Sequence, residues 1–143
     1  LIVKSLNEMN VKINFITDGD VSGVISVADP KNEIDIYLGT GGAPEGVLSA
    51  AALKCLGCQM QTRLVFQNAD EKKRAEKLGI KNLSKKYNIE DMAKGDVIFC
   101  ATGVTDGDLV KGIKNHGENF LSETLVLHNS SKTNKIVKSE NKK

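Results

Sequence analysis

Residues 39–46 combine features that can bind an anion with one that can bind a metal ion. They hold four glycines in eight positions, and glycine lets a backbone approach a ligand closely. A helix beginning here would add unpaired N–H groups. The carboxylate of Glu45 would repel a bound anion unless a divalent cation lay between them. We therefore favour metal ligation by Glu45, with stabilisation of the helix dipole as the alternative.

The same glycine-rich loop lacks both common nucleotide-binding patterns. Pro44 occupies the position of the third glycine in the dinucleotide fingerprint, and no Gly-Lys-Ser/Thr follows for a Walker loop. Neither nucleotide class is therefore predicted as the ligand.

Asp18, Gly19 and Asp20 form a second polar cluster, directly after the apolar residues 13–17. Two carboxylates at a strand end can bind sugar hydroxyls or a metal ion; the alternative is a strand end followed by a helix N-cap. The segment also resembles the nucleophile loop of haloacid-dehalogenase phosphatases, but Ser22 stands where such loops have Thr or Val. A phospho-aspartyl role for Asp18 is a minor alternative.

A third loop, residues 102–107, offers two threonine hydroxyls and two glycines. It either lines a phosphate or sugar pocket or forms an ordinary turn capped by Asp106. His116 and His128 lack the spacing of a metal site, so we expect both at the surface or at a sheet edge.

The three cysteines are an odd number, which argues against a disulfide scaffold. Cys55 and Cys58 form a CxxC pattern at a predicted helix C-terminus, where the dipole does not stabilise a thiolate. Cys100 lies in an apolar run and is expected to be buried. We favour packing roles over a redox or zinc site.

The elements that position these loops follow from alternating apolar and amphipathic stretches. Strands are predicted at 13–17, 34–38, 60–66, 96–101 and 123–127, and helices at 21–28, 44–56, 69–78, 89–93 and 108–115. Helices of this length between strands predict one α/β domain with a mostly parallel sheet and helices on both faces. Because ligands bind at the carboxyl ends of such strands, we expect the three loops to form one crevice.

Charge and hydropathy narrow the classes of partner. The net charge is only +2 and arginine is present only at positions 63 and 74, so no nucleic-acid partner is predicted. No apolar stretch approaches the roughly 20 residues that span a bilayer, so no membrane association is predicted. We expect residues 1–137 to form the domain and residues 138–143 to be a frayed polar tail.

Taken in order, these segments resemble the C-terminal portion of class II fructose-1,6-bisphosphatases, the bacterial type that includes fructose/sedoheptulose bisphosphatases. The run Gly-Gly-Ala-Pro-Glu-Gly at 41–46 is highly specific. The resemblance extends from about residue 10 to 137, through residues 18–21, 41–52, 60–64 and 99–105.

The resemblance implies a cytoplasmic, homo-oligomeric enzyme of gluconeogenesis that hydrolyses the 1-phosphate of fructose 1,6-bisphosphate with Mn²⁺ or Mg²⁺. It implies that Glu45 is a metal ligand, that Asp18, Gly19 and Asp20 bind the sugar, and that Gly42 contacts substrate through its backbone. The metal ions would polarise the phosphoryl group and help to activate water.

Members of this family carry the other acidic metal ligands, a threonine-containing catalytic loop and a basic 6-phosphate site in their first half. None of these is in the sequence, so we predict no catalytic residue in this chain. The expected partner is the N-terminal half of the same enzyme, and the chain alone is predicted to be inactive. The alternative is a non-catalytic phosphosugar-binding or interaction domain.

Overall fold

The computed structural model describes residues 1–17 and 19–142. No helix in these two ranges has the length and apolar content needed to cross a bilayer. The elements in chain order are α1 (Ile2–Glu8), α2 (Asp20–Ser26), a 3-10 turn (Pro30–Asn32), α3 (Ala43–Leu56), β1 (Gln61–Arg63), α4 (Ala69–Lys77), β2 (Lys86–Asn88), α5 (Ile89–Met92), β3 (Ile98–Thr102), β4 (Lys114–His116), β5 (Asn119–His128) and β6 (Thr133–Lys142).

Three helices form where the sequence predicts them, because their capping signals are local. α3 ends at Gly57, which has a φ of 73°, a left-handed conformation that glycine adopts without strain. Asn68 precedes α4 and accepts the backbone N–H of Glu71 at 2.9 Å. Asn88 and Asp91 form a capping box at α5. The predictions of these helices are confirmed.

Every strand pairing among the described residues is antiparallel. The α/β class is confirmed, and the predicted mostly parallel sheet is wrong. β1 and β2 form a small ribbon, whereas β3, β4 and β6 all pair with β5. β5 and β6 are consecutive and joined by a short turn, a connection that only antiparallel strands permit.

Two predicted strands, residues 13–17 and 34–38, are not strands in the structure. Their apolar side chains suit a sheet, but a strand also needs a neighbouring edge for its backbone N–H and C=O groups. Phe15 and Ile36 instead remain 76% and 63% exposed. The apolar pattern of a strand is visible in neighbouring residues, whereas its backbone pairing depends on residues far away in the chain.

Residues 103–113 form a closed loop, so the helix predicted at 108–115 is wrong. The Asp106 carboxylate accepts the backbone N–H of Gly112 at 2.9 Å. Ile113 donates its N–H to the carbonyl of Val104 at 3.2 Å. A short acidic side chain that binds nearby backbone competes with helix formation, and β4 begins directly after the loop.

The C-terminal residues belong to the sheet. β6 runs to Lys142, so the prediction of a frayed tail is wrong for residues 138–142. Lys138 lies opposite Glu123 of β5, and its Nζ is 3.0 Å from the Glu123 carboxylate. Such cross-strand pairs add to the stability of a hairpin.

The core lies between α3 and one face of the four-stranded sheet. Ala52 is fully buried and Leu127 is 1% exposed. The buried residues of this core are Ile25, Ala52, Cys55, Phe99, Leu125 and Leu127.

Cys100 is exposed, and the prediction that it is buried is wrong. Phe99 belongs to the core, and neighbouring side chains of a strand point to opposite faces. Cys100 therefore lies with Ile98, which is 66% exposed, on the face away from α3. Cys55, in contrast, is buried, and desolvation raises the pKa of its thiol, which opposes thiolate reactivity.

The turn between β5 and β6 is tied to the start of β3 by a polar network. Asp96 accepts hydrogen bonds from the Ser130 hydroxyl and from Nε2 of His128, at 3.0 Å for the latter. These two bonds, in that order, lower the pKa of the Asp96 carboxyl. Nδ1 of His128 lies 2.7 Å from the Ser131 hydroxyl. His128 thus has a structural role on the sheet.

Candidate functional site

The glycine-rich loop leads into α3 as the sequence predicts. Gly42 is the N-cap in an extended conformation, with φ −68° and ψ 156°, and Pro44 lies in the first turn. Proline is well tolerated there because its missing N–H would have no partner in the helix. The carbonyl of Gly42 accepts the N–H of Gly46 at 3.1 Å and so begins the helical hydrogen bonding.

Glu45 is exposed in the first turn of α3, and its side chain folds back over Gly42. A Cβ atom built on Gly42 would overlap the Glu45 carboxylate. The absence of a side chain at Gly42 therefore leaves space for the carboxylate beside the helix N-terminus, where the dipole favours negative charge.

Asp20 opens α2 and brings the second polar cluster to the same place. Its neighbour Gly19 has a φ of 79° and is the N-cap of α2. The carboxylate of Asp20 reaches the glycine-rich loop, since a Cβ built on Gly41 would lie 2.7 Å from its Oδ2 atom. The structure thus brings Gly19 and Asp20 together with the loop of Gly42 and Glu45, while Asp18 lies outside the described residues.

Tyr37 is a further residue of this cluster that the sequence reasoning missed. Its ring packs against Gly23 and Gly39, with ring carbons 3.0 and 2.8 Å from the Cβ positions that a side chain there would occupy. Burial, and secondly the negative charge of Asp20, raise the pKa of its phenol. The hydroxyl therefore stays protonated and can donate a hydrogen bond. The signal in the sequence was a tyrosine two residues before the loop.

An open groove of about 890 Å³ extends from residues 35–39 to β1, past the C-terminal half of α3. Its basic lining residue, Lys54, already binds the Glu90 carboxylate at 2.9 Å and the Ala93 carbonyl at 2.8 Å. These bonds occupy the ammonium group, and the groove is lined by both apolar and polar side chains, the latter including Asp35, Gln61 and Asn88.

The third loop is organised by contacts of its own. Thr102 and Thr124 share a hydrogen bond of 2.8 Å between their hydroxyls across β3 and β5. Asp106 is held by Gly112, whose N–H lowers the pKa of its carboxyl. The first two loops lie side by side at Asp20 and Gly41, and the single crevice formed by all three loops stays a prediction.

Comparison with known proteins identifies the family of the chain. The family described as bacterial fructose-1,6-bisphosphatase, glpX-encoded, matches residues 1–141. The chain belongs to this family. It is 35% identical over 149 residues to the D-fructose 1,6-bisphosphatase class 2/sedoheptulose 1,7-bisphosphatase of Synechococcus sp. (strain JA-3-3Ab), across 95% of the chain. It is 36% identical over 152 residues to the fructose-1,6-bisphosphatase class 2 of Haemophilus influenzae (strain ATCC 51907 / DSM 11121 / KW20 / Rd), across 96% of the chain.

The chain spans less than half the length of these bisphosphatases. The matched region is 43% of the Synechococcus protein and 45% of the Haemophilus protein, and it corresponds to their C-terminal portion. More than half of each relative therefore has no counterpart in the chain.

The residues of this bisphosphatase-family chain do not form a complete metal site. In the described ranges, no three or more His, Cys, Asp or Glu side chains are grouped so that they could hold a metal ion. Glu45 and Asp20 supply two exposed carboxylates, whereas Mg²⁺ is six-coordinate and Ca²⁺ takes six to eight oxygens. Carboxylates are suitable ligands for such ions, and two of them leave most of the coordination positions to other groups.

Proposed function

We propose that this chain is the C-terminal part of a metal-dependent phosphatase that hydrolyses fructose 1,6-bisphosphate to fructose 6-phosphate and phosphate. The proposal places the enzyme in the cytoplasm and in gluconeogenesis, with Mn²⁺ or Mg²⁺ as its cofactor. The observation that carries it is the position of Glu45 beside Gly42 and Asp20, in a chain that matches the bisphosphatase family along nearly its whole length.

Each residue of the cluster has a distinct proposed role. Glu45 is one ligand of the metal ion, and the remaining ligands come from the N-terminal part of the enzyme. Asp18, Gly19 and Asp20 bind the sugar, and Gly42 contacts the substrate through its backbone. Tyr37, kept protonated beside Asp20, donates a hydrogen bond to a substrate oxygen or to the Asp20 carboxylate.

The chain alone is proposed to be inactive, because Glu45 by itself does not hold the metal ions that this chemistry requires. Purified chain should release no phosphate from fructose 1,6-bisphosphate in Mn²⁺ or Mg²⁺. A fusion of the N-terminal part of the Haemophilus relative to this chain should release phosphate when either metal ion is added.

Glu45→Gln in the fusion tests the role of the glutamate. Because it removes a charged ligand and keeps the shape, we expect phosphate release to fall about 100-fold or more. Glu76→Gln, an exposed position on α4, is the matched control and should leave the rate unchanged. A folded fusion that binds fructose 1,6-bisphosphate and never hydrolyses it would instead favour the non-catalytic sugar-binding alternative.

A further inference from the structure

Apolar side chains are exposed on the three segments that carry the site residues or lead into them. We call this set the site collar; its members are between 46% and 76% exposed and are Phe15, Ile16, Ile36, Leu38, Val47 and Leu48. Soluble proteins rarely leave large grouped apolar side chains in water unless another surface covers them.

The collar borders the site residues on two sides. Ile16 and Tyr37 meet at Gly23 of α2, and Ile36 and Leu38 flank Tyr37 in the chain. Burial and, secondly, the charge of Asp20 raise the pKa of Tyr37, so Tyr37 and this half of the collar lie near the Asp20 carboxylate.

The other half of the collar lies on α3. Val47 and Leu48 follow Glu45 by two and three positions, so they lie about 3–5 Å further along the helix axis. Leu48 is about 60° round the helix from Glu45, so a surface that covers the Glu45 side of α3 also reaches Leu48, whereas Val47 points to another side of the helix.

The total surface of the chain is larger than a closed domain of its mass should have. Its accessible area is 10767 Å², whereas a compact monomer of this size exposes about 7,200 Å². The difference, about 3,500 Å², exceeds one partner's share of a large obligate interface, about 1,000–2,500 Å². The chain thus has enough surplus surface for a permanent partner.

We propose that the site collar is the surface on which the N-terminal part of the bisphosphatase docks. This inference rests on the proposed function, and it identifies where the partner binds. The matched relatives have more than half of their length outside the matched region, which supplies an occupant of sufficient size. Ligands of one divalent ion lie about 2.0–2.6 Å from it, so a partner that completes the Glu45 site comes close to the exposed collar residue Leu48 on the next turn of α3.

The binding test uses the full chain and the separately expressed N-terminal part of the Haemophilus relative, in isothermal titration calorimetry. The double variant Val47→Asp/Leu48→Asp places two charges in the proposed interface and should weaken binding at least 100-fold. Leu78→Asp, at a residue 78% exposed beyond α4, and Ile98→Asp, 66% exposed on the opposite face of the sheet, are matched controls. Both should bind as the unchanged chain does.

Three results would refute the proposal that the N-terminal part docks on the site collar. The first is that the collar variant binds as tightly as the unchanged chain, and the second is that Ile98→Asp abolishes binding. The third is that the unchanged chain forms a dimer that the collar substitutions dissociate while the N-terminal part does not bind, which would assign the collar to a second copy.

Hydrogen exchange on the single-chain fusion covers the case in which the separate N-terminal part does not fold. Docking at the collar should slow exchange of amides at 13–16, 36–38 and 47–48 by at least tenfold relative to the isolated chain; unchanged exchange there refutes the proposal. Neither measurement requires catalysis. A protected collar in a fusion that releases no phosphate would reject the proposed function and keep the docking surface.

Discussion

Gly112→Ala tests how tightly the loop at 103–113 is closed. Gly112 is buried, and a Cβ atom there would lie 2.5 Å from the carbonyl carbon of Thr105 and 2.7 Å from the backbone nitrogen of Asp106. Ordinary contacts begin at about 3.4 Å, so the facing backbone must move by roughly 1 Å, and backbone cannot rotate aside as a side chain does.

The expected loss of stability follows from three contributions. Overpacking of this kind costs about 1–3 kcal/mol. The movement also weakens the hydrogen bond from Gly112 to the Asp106 carboxylate. The smaller conformational freedom of alanine in the unfolded chain offsets about 0.4–1 kcal/mol. We expect a net loss of about 1–2 kcal/mol and a fall in Tm of about 5 °C.

Gly46→Ala is the matched control for the Gly112→Ala substitution. A Cβ at Gly46 meets no atom within 4 Å, and the residue lies inside α3. Alanine should therefore stabilise the chain by about 0.5–1 kcal/mol. Urea unfolding followed by circular dichroism measures both variants. If Gly112→Ala unfolds at the same or a higher urea concentration than the unchanged chain, the close approach of the loop is not real. In a folded Gly112→Ala protein, NMR titration should also find the pKa of Asp106 shifted up, because Gly112 is the main cause of its depression.

Three further predictions concern the packing of the core, the pH dependence of stability and the reactivity of the thiols. Leu127→Ala should lower the free energy of unfolding by about 2–5 kcal/mol in urea, because the side chain is 1% exposed in the core. Asp96→Asn should destabilise the chain at about pH 7 and much less at about pH 2. The pKa of Asp96 is depressed by folding, so its contribution is present above its unfolded pKa and lost as pH falls through its folded pKa. With a thiol-reactive disulfide reagent, Cys100 should react fast and Cys55 slowly, and Cys100→Ala should remove the fast phase.

Each of these predictions has a contrary outcome. A loss below about 1 kcal/mol for Leu127→Ala would mean that the core is loosely packed at this position. An equal effect of Asp96→Asn at both pH values would show that the carboxylate charge does not stabilise the turn. A fast reaction of Cys55 would show that α3 detaches readily from the sheet.

The helices were predictable from the sequence because their boundaries depend on contacts a few residues apart. The Gly57 cap of α3 and the Asn68–Glu71 bond of α4 are visible as residue types at fixed spacing. The same holds for the beginning of α3 at Gly42, which is why the glycine-rich loop and Glu45 were correctly placed at a helix N-terminus.

The sheet was not predictable to the same degree because pairing joins distant residues. Residues 13–17 have the pattern of a strand but no paired edge, while the polar residues of β6 are strand residues because β5 offers ten partners in register. The closed loop at 103–113 was read as a helix since its cause, the Asp106–Gly112 bond, depends on a turn that the periodicity does not reveal.

The candidate site was predicted in part for the same reasons. Ligand loops share one end of a parallel α/β sheet, and this rule led us to expect that the loops of Asp20 and Gly41 meet. The loops do meet, although the sheet is antiparallel. Tyr37 was missed because its role depends on the charge of Asp20 and on packing against glycines outside its own segment.

Several lysines near the C-terminus lie on β6. This strand is an outer strand of the sheet that the described residues build, with β5 on its inner side. Lys135, Lys138 and Lys142 recur along it every three to four residues. Charged side chains on an edge strand oppose the addition of a further strand from another molecule. The basic end of the chain thus protects an open hairpin against edge-to-edge aggregation, and replacing these lysines with threonine should promote fibrillar assembly.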